Sequence, residues 1–229
     1  MSEQVRLTAA LRGVKYVLAD FDGPFCAVFA GLPADEVADR LVERLSAAGH
    51  EVHGSWREER DPFTLLHRVS QEAPELVVDA DAILVALETE AAELARPNVD
   101  MAPMLDACVR TGRSVIVVSN NAGPAIDAYL NKHGLAARVD RVIGRATGDP
   151  SSMKPSPRLL LEAMGAAAPA ACVFIGDSVR DVEAGHAAEV PTIGYANKPG
   201  KDKKLADAGA AVVVSSVADI TAALEQMEE

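Results

Sequence analysis

Short runs rich in β-branched residues recur along the chain between longer stretches of helical character, and this alternation most restricts the folds open to it. The runs are Val14 to Ala19, Ser114 to Ser119, Val139 to Ile143, Ala171 to Ile175, Thr192 to Tyr195 and Ala211 to Val214. Helix patterns occupy about 101 to 111, 124 to 134, 156 to 165, 179 to 188, 202 to 208 and 216 to 227. Parallel strands cannot be joined by tight turns and cross over through helices, so this pattern predicts a parallel sheet covered on both faces. The expected fold is α/β, a doubly wound parallel sheet with a Rossmann-like core.

The interval between the first and second runs is too long for one crossover helix. Residues 25 to 96 show helix patterns and no convincing strand, which predicts a smaller all-helical domain inserted into a core made of residues 1–24 and 97–229. Val37, Leu41 and Leu45 form one apolar stripe of this insertion, and Ile83, Leu87, Ala91 and Leu94 a second; both are read as core packing. Glu88, Glu90 and Glu93, interleaved with the second stripe, are read as a solvated face rather than a metal cluster. Arg96-Pro97-Asn98 reads as the return linker.

Composition removes several classes of function. A net charge of −12 over 229 residues offers no basic face to a nucleic-acid backbone or an anionic bilayer, so neither is expected as a partner. Positive charge for an anionic ligand must then be local, supplied by a cation and one or two basic side chains. No run is long enough and apolar enough to span a bilayer, and Met1-Ser2-Glu3-Gln4 lacks a basic segment leading into an apolar one. Cys26, Cys108 and Cys172 are odd in number and widely spaced, which reads as reduced thiols. A cytoplasmic protein is expected, monomeric or homodimeric.

In open parallel sheets ligands sit beyond the carboxyl ends of the strands. Three runs end in polar residues there: Asp20-Phe21-Asp22-Gly23-Pro24, Ser119-Asn120-Asn121, and Gly176-Asp177-Ser178 with Asp181 four residues beyond Asp177. Lys154 precedes the third in Met153-Lys154-Pro155. Each fragment alone also reads as a turn or a helix cap. Their weight lies in the conjunction of carboxylates, a hydroxyl, a lysine and a further acidic pair, in that order and at strand ends of one sheet.

In these motifs the chain resembles the haloacid dehalogenase-like superfamily, whose motifs read Asp-x-Asp-Gly, Ser or Thr, Lys, and Gly-Asp-x-x-x-Asp, and within it the phosphoglycolate phosphatase-like group. The resemblance covers essentially the whole chain, with residues 25–96 in the place of the superfamily's mobile cap. It implies a Mg²⁺-dependent phosphatase acting on a small phosphorylated metabolite, in which Asp20 attacks phosphorus and forms an aspartyl-phosphate while Asp22 serves first as acid and then as base. It further implies that Mg²⁺ is held by Asp20, the backbone carbonyl of Asp22 and Asp177, with Asp181 as a further ligand or an acceptor for metal-bound water. Ser119 and the backbone around Asn120 would bind the phosphoryl group, and Lys154 would neutralise it together with Asp20. Pro24 departs from the Thr or Val more usual in the first motif, which stiffens the turn and removes a donor.

Asp22, Asp177 and Asp181 argue against a dehalogenase, and the absence of lysine from residues 25–96 argues against a phosphonate-cleaving enzyme that uses a cap lysine. A sugar phosphomutase remains an alternative, although Phe25 to Phe29 lacks the polar residues such enzymes place after the first motif. A non-catalytic interaction protein that keeps the fold is the other. For substrate recognition the insertion offers a cluster of His50, His53, Trp56, Arg57 and Arg60, of which His53, Trp56 and Arg57 are the candidate specificity residues; the same cluster also reads as a surface loop with an exposed Trp. His67 and Arg68 read as helix-surface residues.

Overall fold

The structure is a computed structural model and describes residues 3–227. In chain order, α1 (Glu3–Leu11) and β1 (Tyr16–Ala19) are followed by β2 (Cys26–Ala27), α2 (Ala34–Ala47), α3 (Pro62–Glu72), α4 (Val77–Leu94) and β3 (Arg96–Pro97). Then come α5 (Met101–Arg110), β4 (Ser114–Val118), α6 (Gly123–Lys132), β5 (Arg141–Ile143), α7 (Arg158–Met164), β6 (Cys172–Gly176) and α8 (Val179–Ala187). The chain continues through β7 (Thr192–Tyr195), α9 (Lys201–Asp207), β8 (Val212–Val214) and α10 (Val217–Glu225).

Six of the strands form one parallel sheet in the order β5-β4-β1-β6-β7-β8. The chain starts at the centre, winds outward through β4 and β5, then returns to the other side of β1 and winds out through β6, β7 and β8. The sheet is therefore doubly wound, with its switch point between β1 and β6. Ala19 is in register with Val117 of β4 and Ile175 of β6, so Asp20, Ser119 and Asp177 leave three adjacent strands at nearly one level.

The period of two along the strands sends side chains into two separate cores. Val17, Ala19, Val115, Val117, Val173 and Ile175 face one core, which also takes in α1, α5, α6 and α10, while Leu18, Ile116, Val118 and Phe174 pack with α7 and α8 on the opposite face. Both faces are apolar, which is why these strands are near-continuous hydrophobic runs.

The helices between β2 and β3 share the first of these cores. Leu41, Leu45, Leu65, Leu66, Leu84 and Leu87 are fully buried in it. At about 1.5–3 kcal/mol for each buried side chain, this packing fixes how the three helices sit. The half-exposed Arg40–Glu90 pair at 2.8 Å contributes under about 1 kcal/mol. Asp61 caps α3 by accepting from Phe63 N at 2.9 Å, with Pro62 preset for the first turn.

Expectation and structure part in three places of this region. Glu88 is completely buried rather than solvated, and Leu94 is 53% exposed rather than packed. The buried stripe of α4 runs through Ala80, Asp81, Leu84, Leu87, Glu88, Ala91 and Ala92; it keeps Leu87 and Ala91 of the expected stripe and takes in Asp81 and Glu88, because Arg145 supplies an internal cation that lets two carboxylates turn inward. Residues 25–96 also hold strand, since β2 pairs antiparallel with β3 where the chain leaves and re-enters the sheet region. Elsewhere α1 (Glu3–Leu11) answers to no expected helix, and the other strands and helices of the core differ from expectation by at most two residues at their ends. Among the described residues no helix is long and apolar enough to cross a membrane.

Candidate active site

Asp20, Asp22, Ser119, Asn120, Lys154, Asp177 and Asp181 line one cavity of about 400 Å³ beyond the carboxyl ends of β1, β4 and β6. Phe29, Asp61, Pro62 and Phe63 close it from the side of the inserted helices. The cavity falls within the usual size range for small-molecule sites.

Lys154 is the electrostatic centre. It is 4% exposed, and its Nζ lies 2.8 Å from Asp20 Oδ1 and 2.6 Å from Asp181 Oδ1, while donating to Val118 O at 3.3 Å. Burial disfavours the ammonium, but the two carboxylates outweigh it and hold its pKa above the ordinary lysine range. Asp181 Oδ1 has no hydrogen bond of good angle although the ammonium is this close, so the contact is an ion pair by proximity. Asn120 fixes the backbone of Lys154 by accepting from its N at 2.8 Å and donating to its carbonyl at 3.3 Å.

Asp181 is committed on both oxygens. Oδ1 meets Lys154, and Oδ2 accepts from Asp177 N at 3.1 Å, Ser178 N at 2.9 Å and Ser178 Oγ at 2.7 Å as half of a capping box that starts α8. Gly176 is required below it, since a Cβ there would stand 2.3 Å from Asp181 Cβ. Asp20 Oδ1 takes both Lys154 and the Phe21 N–H, at 2.7 Å for the latter; among the described residues Oδ2 has no partner. Asp22 accepts from Val28 N at 2.9 Å, and burial raises its carboxyl above the ordinary range. Ser119 Oγ lies 3.3 Å from both Asn121 N and Asn121 Oδ1.

Asp20, Asp177 and Asp181 each place one carboxylate oxygen within 4.8 Å of the others. Burial pushes Asp20 up to about 7 against the pull of Lys154, and Asp181 and Asp177 push it the same way. Hard oxygen donors crowded with excess negative charge suit a hard divalent cation such as Mg²⁺. Asp22 contributes no carboxylate to this cluster; a backbone carbonyl is what the family resemblance asks of it.

Several participants do not stand out in the sequence. Lys201 forms an ion pair with Asp177 Oδ2, and Asn197 donates to the same oxygen at 2.9 Å. Both follow β7, another strand of the same sheet, so the strand-end rule reaches them once it is extended past Tyr195. Behind Ser119, Asn121 donates to Glu88 at 2.9 Å; Arg145 meets Glu88 at 2.9 Å and Asp81 at 2.7 Å, and donates to Asn120 O at 2.9 Å.

The three specificity candidates lie elsewhere. Trp56 is fully buried, donating from Nε1 to Glu72 at 2.7 Å, and the exposed His53 stacks on it at 4.7 Å between ring centroids. Trp56, His53 and the exposed Arg57 do not line the cavity, because the indole is spent on packing this end of α3. His67 and Arg68 are half-buried and line a second cavity next to the first.

The family model for haloacid dehalogenase-like hydrolases matches residues 14–189. No curated protein sequence matches the chain. Among solved structures, a predicted phosphatase from Clostridium acetobutylicum is 18% identical, with a TM-score of 0.69 over 94% of this chain and 99% of that one. CbbY from Rhodobacter sphaeroides, in complex with phosphate, is 18% identical with a TM-score of 0.66 over 93% and 99%. A predicted phosphoglycolate phosphatase from Haemophilus somnus is 17% identical with a TM-score of 0.63 over 96% and 100%. At such identities these neighbours speak for the fold.

Proposed function

The chain belongs to the haloacid dehalogenase-like hydrolase family, and on that premise we propose that it is a Mg²⁺-dependent phosphatase that cleaves a small-molecule phosphomonoester through an aspartyl-phosphate. The observation that carries this is the convergence of Asp20, Lys154, Asp177 and Ser119 on one cavity. Residues 25–96 serve as the cap over it.

Asp20 attacks phosphorus through a carboxylate oxygen, forming the acyl–phosphate bond as the bond to the alkoxide oxygen breaks. Asp22 protonates the departing alkoxide, and in the second half takes a proton from the water that releases phosphate and restores Asp20. Lys154 offsets charge on Asp20 and on the transferred group, while Ser119 and the backbone at Asn120 orient that group. Asp20, the Asp22 carbonyl and Asp177 would hold Mg²⁺, with Asp181 positioning its neighbours. The ion supplies charge neutralisation between two anions that would otherwise repel.

Turnover of an aryl phosphate is expected with Mg²⁺, lost with a chelator and recovered when Mg²⁺ is returned. Absence of Mg²⁺-dependent turnover across a panel of aryl and small aliphatic phosphates would sink the proposal.

Gly23 gives a second check. Its φ is +107°, and a Cβ there would stand 2.4 Å from Asp177 Cγ. Gly23→Ala must strain the backbone, by roughly 1–3 kcal/mol, and displace Asp177. Turnover at fixed Mg²⁺ is expected to fall about tenfold or more, with a higher Mg²⁺ requirement. An unchanged Mg²⁺ titration of the rate would contradict the role given to Asp177.

A further inference from the structure

A second cavity of about 390 Å³ adjoins the first, and the two share Phe63, Asn120, Lys154 and Arg180. Thr64, His67, Arg68 and Gln71 line it from one face of α3. Their spacing of one, three and four residues puts them on neighbouring turns, beside the face of Leu65, Leu66 and Val69 that packs into the core. Among the described residues no carboxylate lines this cavity, although the chain carries 34 acidic residues and the first cavity is lined by five. Three cationic side chains and a histidine meet there instead. Arg180 belongs to α8, between Asp177 and Asp181, so it links the phosphate end of the site to this extension.

Arg180 is loosely held, and Arg68 is paired through one nitrogen. Arg180 lies 3.7 Å from Asp61, with both side chains about half exposed, and Arg68 reaches Glu59 through Nε at 3.2 Å. A half-exposed pair such as Arg180–Asp61 contributes little, so the Arg180 guanidinium can turn to a better anion, while Arg68, itself 42% exposed, pairs with the more buried Glu59 through Nε and can meet an anion with its terminal nitrogens. A planar guanidinium binds a carboxylate or phosphate through two parallel N–H bonds. An uncharged leaving group gains far less from such a lining than an anionic one.

We propose that this cavity is the subsite for a second anionic group on the substrate, a carboxylate or another phosphate at the leaving-group end, held by Arg180 and Arg68. The inference rests on the phosphatase function proposed above and narrows its substrate class to small phosphomonoesters carrying an additional negative charge.

Three substrates with the same three-carbon frame test it: propyl phosphate, 3-phosphooxypropanoate and propane-1,3-diol bisphosphate. The wild type is expected to favour one or both charged substrates over propyl phosphate by about tenfold or more in kcat/KM. Whichever charged substrate leads identifies carboxylate or phosphate as the group bound. In the Arg68→Met/Arg180→Met double variant that ratio is expected to fall towards one, and in Arg180→Lys to stay intermediate. The ratio is read whatever happens to turnover of propyl phosphate, and thermal melts verify folding. Turnover of all three without preference, or a preference that survives the double variant, overturns the subsite and leaves the phosphatase standing. No Mg²⁺-dependent turnover of these substrates or of an aryl phosphate overturns both.

Discussion

Asp20→Asn is expected to remove phosphatase turnover, by about a thousandfold or more, while the protein stays folded. The two side chains are nearly isosteric, and the amide oxygen can still accept from Phe21 N, as Oδ1 does at 2.7 Å. Lys154 keeps Asp181 at 2.6 Å, so the substitution leaves no unpaired ammonium. It also removes one negative charge from three crowded carboxylates. Thermal stability should therefore hold within about 1 kcal/mol or rise, since a like-charge contact is relieved. What the amide lacks is a nucleophilic oxygen anion. The measurement is Mg²⁺-dependent hydrolysis of an aryl phosphate, with a melt alongside. Turnover within tenfold of wild type would remove Asp20 from the nucleophile's role.

The same residue shows why much of this molecule is legible in its amino-acid sequence. A parallel sheet needs apolar strands, and a site at its carboxyl edge needs polar residues where those strands stop. Asp20, Ser119 and Asp177 lie where these two demands meet, and their chain positions register both. Lys154 is legible only by its place among the other motifs, since it leaves no strand and reaches the site by a loop that Asn120 holds.

What escapes a sequence reading depends on partners far away in the chain. Glu88 looks like surface because nothing near it in sequence is basic in the right direction; its cation, Arg145, is 57 residues away. Trp56 looks like a recognition residue because the loop around it is polar and basic, yet Glu72 satisfies its N–H and the ring is buried. His67 and Arg68 look like helix surface until the loop at Met153 to Pro155 is placed opposite α3. Local pattern identifies strands and their ends; it does not reveal which polar face of a helix will meet another wall.

Arg145→Met is expected to be among the most damaging substitutions to stability. The Arg145 side chain is 1% exposed, and those of Asp81 and Glu88 are 2% and 0% exposed. Its guanidinium joins α4 to the loop after β5 and to Asn120 O, and so ties the inserted helices to the wall of the active cavity. Met fills a similar volume without charge, leaving two buried carboxylates without their cation. Breaking a buried ion pair in this way costs about 3–5 kcal/mol, which for a chain of this size lowers Tm by roughly 6–20 °C. The loss should depend on pH with a definite sign. Burial already raises the Glu88 carboxyl above its ordinary range, and Arg145 restrains that rise. Without Arg145 the folded-state value climbs further above the unfolded one. Between those two values the native state then binds more protons than the unfolded state, so stability falls as pH rises. The deficit of the variant is accordingly larger at pH 8 than at pH 5, where Glu88 begins to fold as the neutral acid. Adding Glu88→Gln to Arg145→Met removes the titrating group and should flatten this difference while recovering part of the stability. Urea unfolding of the wild type and both variants at the two pH values checks it; a pH-independent loss below about 1 kcal/mol would mean that the buried cluster is not what holds α4 against the core.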